Sequence, residues 1–228
     1  MNPDLYAHWR ATTLGKLTEQ VELIAVRALA EPLAGARVLD VGTGDGSYAI
    51  EAAACGARVT AIDIDEDMLA AARRRAQAAG VRVHLVEGSA HALPFADDSF
   101  DLVIAVTVLC LAGNAPSALR EMARVLAPGG RLVLGELSRM SVWAAERRVR
   151  AWVVGATTWQ HATFWTRRGL RRLVRDAGLR VVDEKGAVYF PPVTTLARAL
   201  VPFDGLLGRA RAPGAAFIAL AATKQMRA

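Results

Sequence analysis

The chain opens on a helical rhythm. Leu14, Leu17, Val21, Ile24 and Leu29 recur at helical spacing, so residues 1–34 read as an amphipathic helical segment that Pro32 ends. The period then switches repeatedly. Arg37–Val41, Arg58–Asp63, Val81–Val86, Phe100–Val106 and Arg131–Glu136 read as strands. Phe100–Val106 is almost continuously apolar, as befits a strand covered on both faces. Between these runs, Ser47–Cys55, Glu66–Ala79 and the segment from Pro116 to Ala127 carry the helical period. Gly80 follows the second of these helices as a stop, and Pro128-Gly129-Gly130 reads as a sharp turn. Strands alternating with helices predict an α/β fold with a parallel sheet covered on both faces.

Beyond residue 137 the rhythm changes. Residues 138–165 hold Trp143, Trp152, Trp159 and Trp165, four of the five tryptophans, on a helical pattern. This segment reads as an insertion capping one end of the sheet. Thr166–Ala177 forms a further helix stopped by Gly178, and Arg180–Asp183 a further strand. Residues 191–212 read as a Pro- and Leu-containing excursion. Ala215–Thr223 is a last apolar strand, and the long loop before it suits an antiparallel hairpin. No repeat and no linker divides the chain, so its 228 residues are expected to form a single domain.

Candidate chemistry begins at Val38-Leu39-Asp40-Val41-Gly42-Thr43-Gly44-Asp45-Gly46. A strand ends near an acid, passes three glycines in five residues and enters a helix. Such a turn lets a ligand lie against bare backbone, beside the free N–H groups of a helix N-terminus. The next strand ends at Asp63, 21 residues after Gly42. An acid at about 20 residues past the turn is placed to accept both hydroxyls of a ribose. Asp65 is better placed to cap the following helix, which leaves Asp63 for the ligand. A dinucleotide loop needs the spacing G-x-G-x-x-G, whereas here the last glycine arrives one residue early. That disfavours a nicotinamide-dependent oxidoreductase.

Charge changes the picture little. The chain carries 28 Lys+Arg against 22 Asp+Glu, and only Lys16, Lys185 and Lys224 are lysines. The densest cluster, Arg167, Arg168, Arg171, Arg172 and Arg175, lies opposite Leu170, Leu173 and Val174 on one helix. It reads chiefly as a solvated face. No aromatics interleave with it, and no Asn-Pro-Pro-aromatic sequence occurs, which disfavours nucleic acid as a partner. Cys55 and Cys110 read as buried thiols, and no spacing suggests a metal site. The N-terminus has no basic n-region leading into an apolar run, and no run approaches about 18 apolar residues. A cytoplasmic location with no membrane span is the default expectation.

Four motifs occur in order: VLDVGTGDG, AIDIDEDML, LPFADDSFDLV and LREMARVLAPGGRLVL, across residues 36–136. With them the chain resembles the class I S-adenosylmethionine-dependent methyltransferases, in the broad type 11-like group that modifies small molecules. Tyr6, Trp9, Thr13 and Gly15, and the tail from Phe164 to Gly178, resemble members of that group less specifically. The resemblance implies a Rossmann-like, doubly wound, seven-stranded and mostly parallel sheet with an antiparallel last strand and a helical cap. Residues 1–34 would form a lid, 36–136 the cofactor-binding core, and 138–165 and 191–212 the cap.

The resemblance also implies roles. Asp40 would receive the ammonium of S-adenosylmethionine, and Gly42, Thr43 and Gly44 would lie along its methionyl part. Asp63 would bind the ribose, with Ile64 and Met68 packing on the adenine. Gly88, Ser89 and Ala90 would meet the adenine edge, Thr107 and Leu109 would lie under the methyl group, and Tyr6 and Arg10 would close over the cofactor. The chain departs from the family at Ser89, where an acid is common, and at Val108-Leu109-Cys110-Leu111, where many relatives carry a histidine pair. Candidate catalytic or substrate residues are therefore His161, in the tryptophan-rich insertion, and Glu136, at the end of the fifth strand. His8 and His91 are weaker candidates, and His84 reads as structural. The expected partner is a small-molecule methyl acceptor. A non-catalytic cofactor-binding scaffold is the alternative, and a nucleic-acid methyltransferase a weaker one.

Overall fold

The computed structural model describes residues 8–154 and 162–226. In chain order the elements are α1 (Thr13–Ala30), β1 (Arg37–Val41), α2 (Ser47–Ala54), β2 (Arg58–Asp63), α3 (Glu66–Ala78), β3 (Val83–Glu87), β4 (Phe100–Val106) and α4 (Ala115–Val125). There follow β5 (Leu126–Leu137), α5 (Val142–Val154), α6 (Arg167–Asp176), β6 (Leu179–Ala187), α7 (Thr194–Arg209) and β7 (Phe217–Lys224). The strands form one seven-stranded sheet in the order β3-β2-β1-β4-β5-β7-β6. β7 runs antiparallel to both its neighbours, and the other pairings are parallel.

Alternate residues of the central strands feed two separate cores. On one face Leu102, Ile104 and Val133 pack with Val21, Ala25 and Leu29 of α1 and with Ala49 and Ala52 of α2. On the other, Val103, Ala105, Leu132 and Leu134 pack with Leu119 and Met122 of α4 and with Leu170 and Val174 of α6. Leu119, Met122 and Leu170 are wholly buried. Each such side chain stabilises the fold by roughly 1.5–3 kcal/mol relative to exposure.

Helix starts follow their capping residues. Asp65 accepts from the N–H groups of Asp67 and Met68, Asn114 from Ser117, and Thr166 from Gly169. Asp65, not Asp63, thus caps α3. The LPFADDSF segment is held to α4 through Arg124, which donates to the carbonyls of Leu93 and Phe95 and to Glu121 and Asp97. The arginine cluster on α6 is partly paired, since Arg171 donates to Glu184 at 2.6 Å and Arg167 lies 3.5 Å from the same carboxylate.

The structure corrects several expectations. The N-terminal helical pattern breaks at Thr12, whose hydroxyl instead caps α1 by accepting from Gly15 N–H. Within α1 the face turned to the sheet is Thr18, Val21, Ala25 and Leu29, and Ile24 is 57% exposed. Pro128-Gly129-Gly130 does not separate the helix from the strand, since β5 already begins at Leu126. It bulges from within β5, because Phe100 pairs with Leu126 and Leu102 with Arg131 while the residues between loop out. Residues 191–212 are not an irregular excursion but contain α7, which accommodates Pro202 inside it. No helix among the described residues is long and apolar enough to cross a membrane.

Candidate functional site

The sheet order reverses between β1 and β4, and ligands of open α/β sheets bind at the carboxyl edge of the strands at such a switch point. A cavity of about 1120 Å³ occupies that edge. It extends from the loop after β3 (Gly88 to His91), past the turns after β1 and β4, to Leu137, Val188 and Ala216 around β5, β6 and β7.

Its first half is built from backbone and carboxylates. Gly42 has φ +65° and Gly44 φ +55°, conformations that suit glycine. A Cβ on Gly42 would lie 2.5 Å from Val108 Cγ2, so the turn after β1 touches the loop after β4 directly. Asp63 accepts from the N–H groups of Gly44 at 2.7 Å and Asp65 at 3.0 Å. It thereby ties the glycine turn to the end of β2 while its carboxylate faces the cavity. Met68 and the exposed Ile64 flank it, and Gly88, Ser89, Ala90 and His91 form the facing wall. Asp40 is buried and accepts from Thr43 Oγ1 at 2.6 Å. Burial pushes its carboxyl up to about 7, and the Thr43 hydrogen bond offsets only part of that. Among the described residues Asp40 has no ion-pair partner. A buried carboxyl on a cavity wall in want of a cation suits an ammonium group.

The floor is the loop after β4. Thr107 has φ +55°, an uncommon conformation for a β-branched residue, and donates its N–H to Gly135 carbonyl at 2.7 Å. Thr107, Val108, Leu111 and Ala112 line the cavity. Leu109 does not: against expectation it turns into the core below and is 1% exposed, and Val108 beside it presents its side to the cavity.

Glu136 is likewise removed from the expected substrate contact. It is fully buried behind the cavity wall, and its two oxygens accept from Leu109 N–H at 2.8 Å and Cys110 N–H at 3.1 Å. Burial drives its carboxyl up to about 8. Asp204 of α7 repeats the arrangement, accepting from Val188 N–H at 3.2 Å and Tyr189 N–H at 2.8 Å, and Val188 has φ +61°. Two strained cavity loops are thus each held by a buried carboxylate.

The second half of the cavity is assembled from distant parts of the chain: Trp9, Leu14, Thr18 and Glu22 near the N-terminus, Trp143, Glu146 and Arg147 on α5, and Val188, Pro192 and Ala216 near the C-terminus. Trp143 donates its indole N–H to Phe190 carbonyl at 2.7 Å. The Arg147 guanidinium lies over the rings of Trp143, at 5.7 Å, and Phe164, at 5.6 Å. Glu22 is pushed up to about 8 by burial, opposed by the charge of Arg147 and reinforced by Glu19 and Asp204.

Of the expected ligand residues, Asp40, Gly42, Thr43, Gly44, Asp63, Ile64, Met68, Gly88, Ser89, Ala90 and Thr107 converge on this cavity, as do His8 and His91. Arg10 does not line it. Its guanidinium is bound to Glu19 and Asp45, so it fastens the N-terminal segment to the glycine turn. His84 lies on β3, away from the cavity. Tyr6, Trp159 and His161 lie outside the described residues, and so does the Trp152 side chain. Glu22 and Arg147 escaped the sequence reading. The available signal was an acid at position 22, flanked in sequence by the inward-facing Thr18, Val21 and Ala25.

Residues 39–134 match the model of the methyltransferase domain family. An uncharacterized protein of Mycobacterium tuberculosis is 32% identical over 220 residues, covering 96% of this chain and 71% of that one. The ubiquinone/menaquinone biosynthesis C-methyltransferase of Paracoccus denitrificans is 46% identical over 115 residues, 49% of this chain and 46% of its own length. Among solved structures, a methyltransferase of Thermotoga maritima described as a possible histamine N-methyltransferase superposes with a TM-score of 0.75 at 24% identity. That superposition covers 97% of this chain and 96% of the other, and it establishes the fold. With the ordered motifs, the strand order and the cavity at the switch point, these matches place the chain among the class I S-adenosylmethionine-dependent methyltransferases.

Proposed function

We propose that the protein transfers a methyl group from S-adenosylmethionine to a small-molecule acceptor inside the cavity. The observation that carries this reading is the continuity of one cavity from the Asp63 carboxylate, past Thr107 and Val108, to the Trp143 wall. The first half suits the cofactor: Asp40 receives the ammonium, Gly42, Thr43 and Gly44 line the methionyl chain, and Asp63 accepts from the ribose. Ile64 and Met68 pack on the adenine, with Gly88, Ser89 and Ala90 at its edge. Bound cofactor supplies a methyl group on a positively charged sulfur, open to in-line displacement. The residues of the chain then contribute alignment, and holding two reactants in line is worth roughly 7–11 kcal/mol. Thr107 and Val108, fixed from below by Glu136, set the floor on which the acceptor approaches.

The apolar wall of Trp143, Leu14, Leu137 and Val188 suits an acceptor with an apolar or aromatic body. A relative named for ubiquinone and menaquinone biosynthesis also supports a small-molecule acceptor. The test is incubation of the protein with isotopically labelled S-adenosylmethionine and a metabolite extract. The expected result is one or a few small molecules gaining the labelled methyl group. Cofactor binding with no acceptor methylated would favour a non-catalytic scaffold.

A further inference from the structure

Glu22, like Glu146 and Arg147, is an ionisable group of the second half of the cavity that the proposed function leaves without a role. It stands on the cavity wall, one helical turn beyond Thr18 and two beyond Leu14, both of which line the same space. No hydrogen bond from a described residue reaches its carboxylate. The charged groups acting on it are Glu19 on its own helix, Asp204 on α7 and Arg147 on α5. Glu19 is occupied by Arg10 and by Ser47 Oγ at 2.9 Å, and Asp204 by two backbone N–H groups. Glu22 is thus a carboxylate on the wall of the acceptor space, which it shares with Arg147, the cation acting on it, and with Glu146, which also acts on Arg147.

That pairing selects a chemistry. A base beside a fixed guanidinium suits an acceptor whose attacking atom sheds a proton and becomes negative. An acceptor presenting an ammonium would meet the guanidinium with like charge. A hydroxyl presents no such conflict, and the walls of Trp143, Leu14 and Val188 call for an apolar ring to carry it.

We propose that Glu22 is the catalytic base that takes the proton of an acceptor hydroxyl borne on an apolar ring, with Arg147 holding the oxygen as its charge develops. The inference rests on the methyltransferase reading of this cavity. The O–H proton passes to a Glu22 carboxylate oxygen and an oxygen lone pair forms the bond to the methyl carbon. The carbon–sulfur bond breaks, its electron pair stays on sulfur, and the sulfonium becomes a neutral thioether. The raised pKa of Glu22 fits this role, because a base that titrates near the working pH both ionises and accepts well.

The test uses the whole chain and matched probes: 2-naphthol, 2-naphthylamine and naphthalene, with S-adenosylmethionine. Wild-type protein is expected to methylate the naphthol on oxygen, with a rate rising with pH through a limb near 8. E22Q is expected to lose about 10²-fold or more in kcat/KM, together with that limb. It is expected to keep its cofactor affinity by calorimetry, which also shows that it folds. A second readout needs no turnover. In protein labelled with carboxyl-¹³C glutamate, the resonance missing from E22Q titrates far above ordinary carboxylates and shifts on adding 2-naphthol, not naphthalene. An E22Q variant with the wild-type rate and pH limb, or transfer to the amine and not the naphthol, overturns the inference alone. Cofactor binding without naphthol methylation also overturns it. Failure of the wild-type protein to bind S-adenosylmethionine overturns the methyltransferase reading instead.

Discussion

The two halves of the cavity are made differently. The half assigned to the cofactor is built from contiguous turns at the ends of β1, β2 and β3, where glycines and three short-range carboxylate contacts set the shape. The half assigned to the acceptor is built from side chains more than 100 residues apart in sequence, such as Glu22 and Arg147. The first kind of site conserves its geometry through backbone conformation. The second is set by how α1, α5 and the loop after β6 happen to pack, so it is free to change its chemistry without disturbing the turn.

Predictions that separate the halves follow from this. The largest effect is expected at Glu136, which serves both. Replacing it with alanine leaves the N–H groups of Leu109 and Cys110 buried without a partner, at about 1–3 kcal/mol each. Denaturant unfolding of Glu136→Ala should show that loss, whereas a contact made only by substrate would leave stability unchanged. Next is Asp63→Ala. Cofactor affinity should fall ten-fold or more by calorimetry, since a hydrogen bond to a charged group is worth about 1.5–3 kcal/mol. Unchanged affinity would remove Asp63 from the ribose site.

A further effect is the pH dependence. Asp40, Glu22 and Glu136 all have folded-state values raised by burial, to about 7, 8 and 8. A raised carboxyl contributes its relative stability below the ordinary carboxylate range, and that contribution is lost as pH climbs through the raised value. Thermal unfolding of the cofactor-free protein should therefore shift to lower temperature between about pH 5 and pH 8. Bound cofactor, bringing an ammonium to Asp40, should flatten the part due to Asp40 and leave the part due to Glu136. An identical slope with and without cofactor would sever Asp40 from the ammonium.

How far the sequence exposes this site follows from the same contrast. The glycine turn, Asp63, Ile64, Met68 and Ser89 are readable because their place on the cavity follows from local order: strand, turn, acid, helix. Asp40 and Thr43 are readable for the same reason, being three residues apart. Leu109 and Glu136 depart from expectation because a residue near a strand end can turn up toward the cavity or down into the core, and periodicity does not say which. Here the Thr107 backbone, at positive φ, sends Leu109 down, and Glu136 lies beneath it to receive two N–H groups. Glu22 hid among apolar neighbours because its partner, Arg147, is brought to it only by tertiary packing. The helix at residues 194–209 was obscured by Pro202, which removes one backbone donor yet leaves the rest of α7 intact.

The contact between Gly42 and Val108 has a consequence beyond room for a ligand. With a single absent Cβ letting the two loops meet, the turn after β1 and the floor after β4 behave as one bearing surface. A side chain added at position 42 would act like a shim, forcing the loop after β4 away from the turn after β1. On the proposed reading the glycine sets the spacing between turn and floor, so its loss should be felt in cofactor binding and in turnover together.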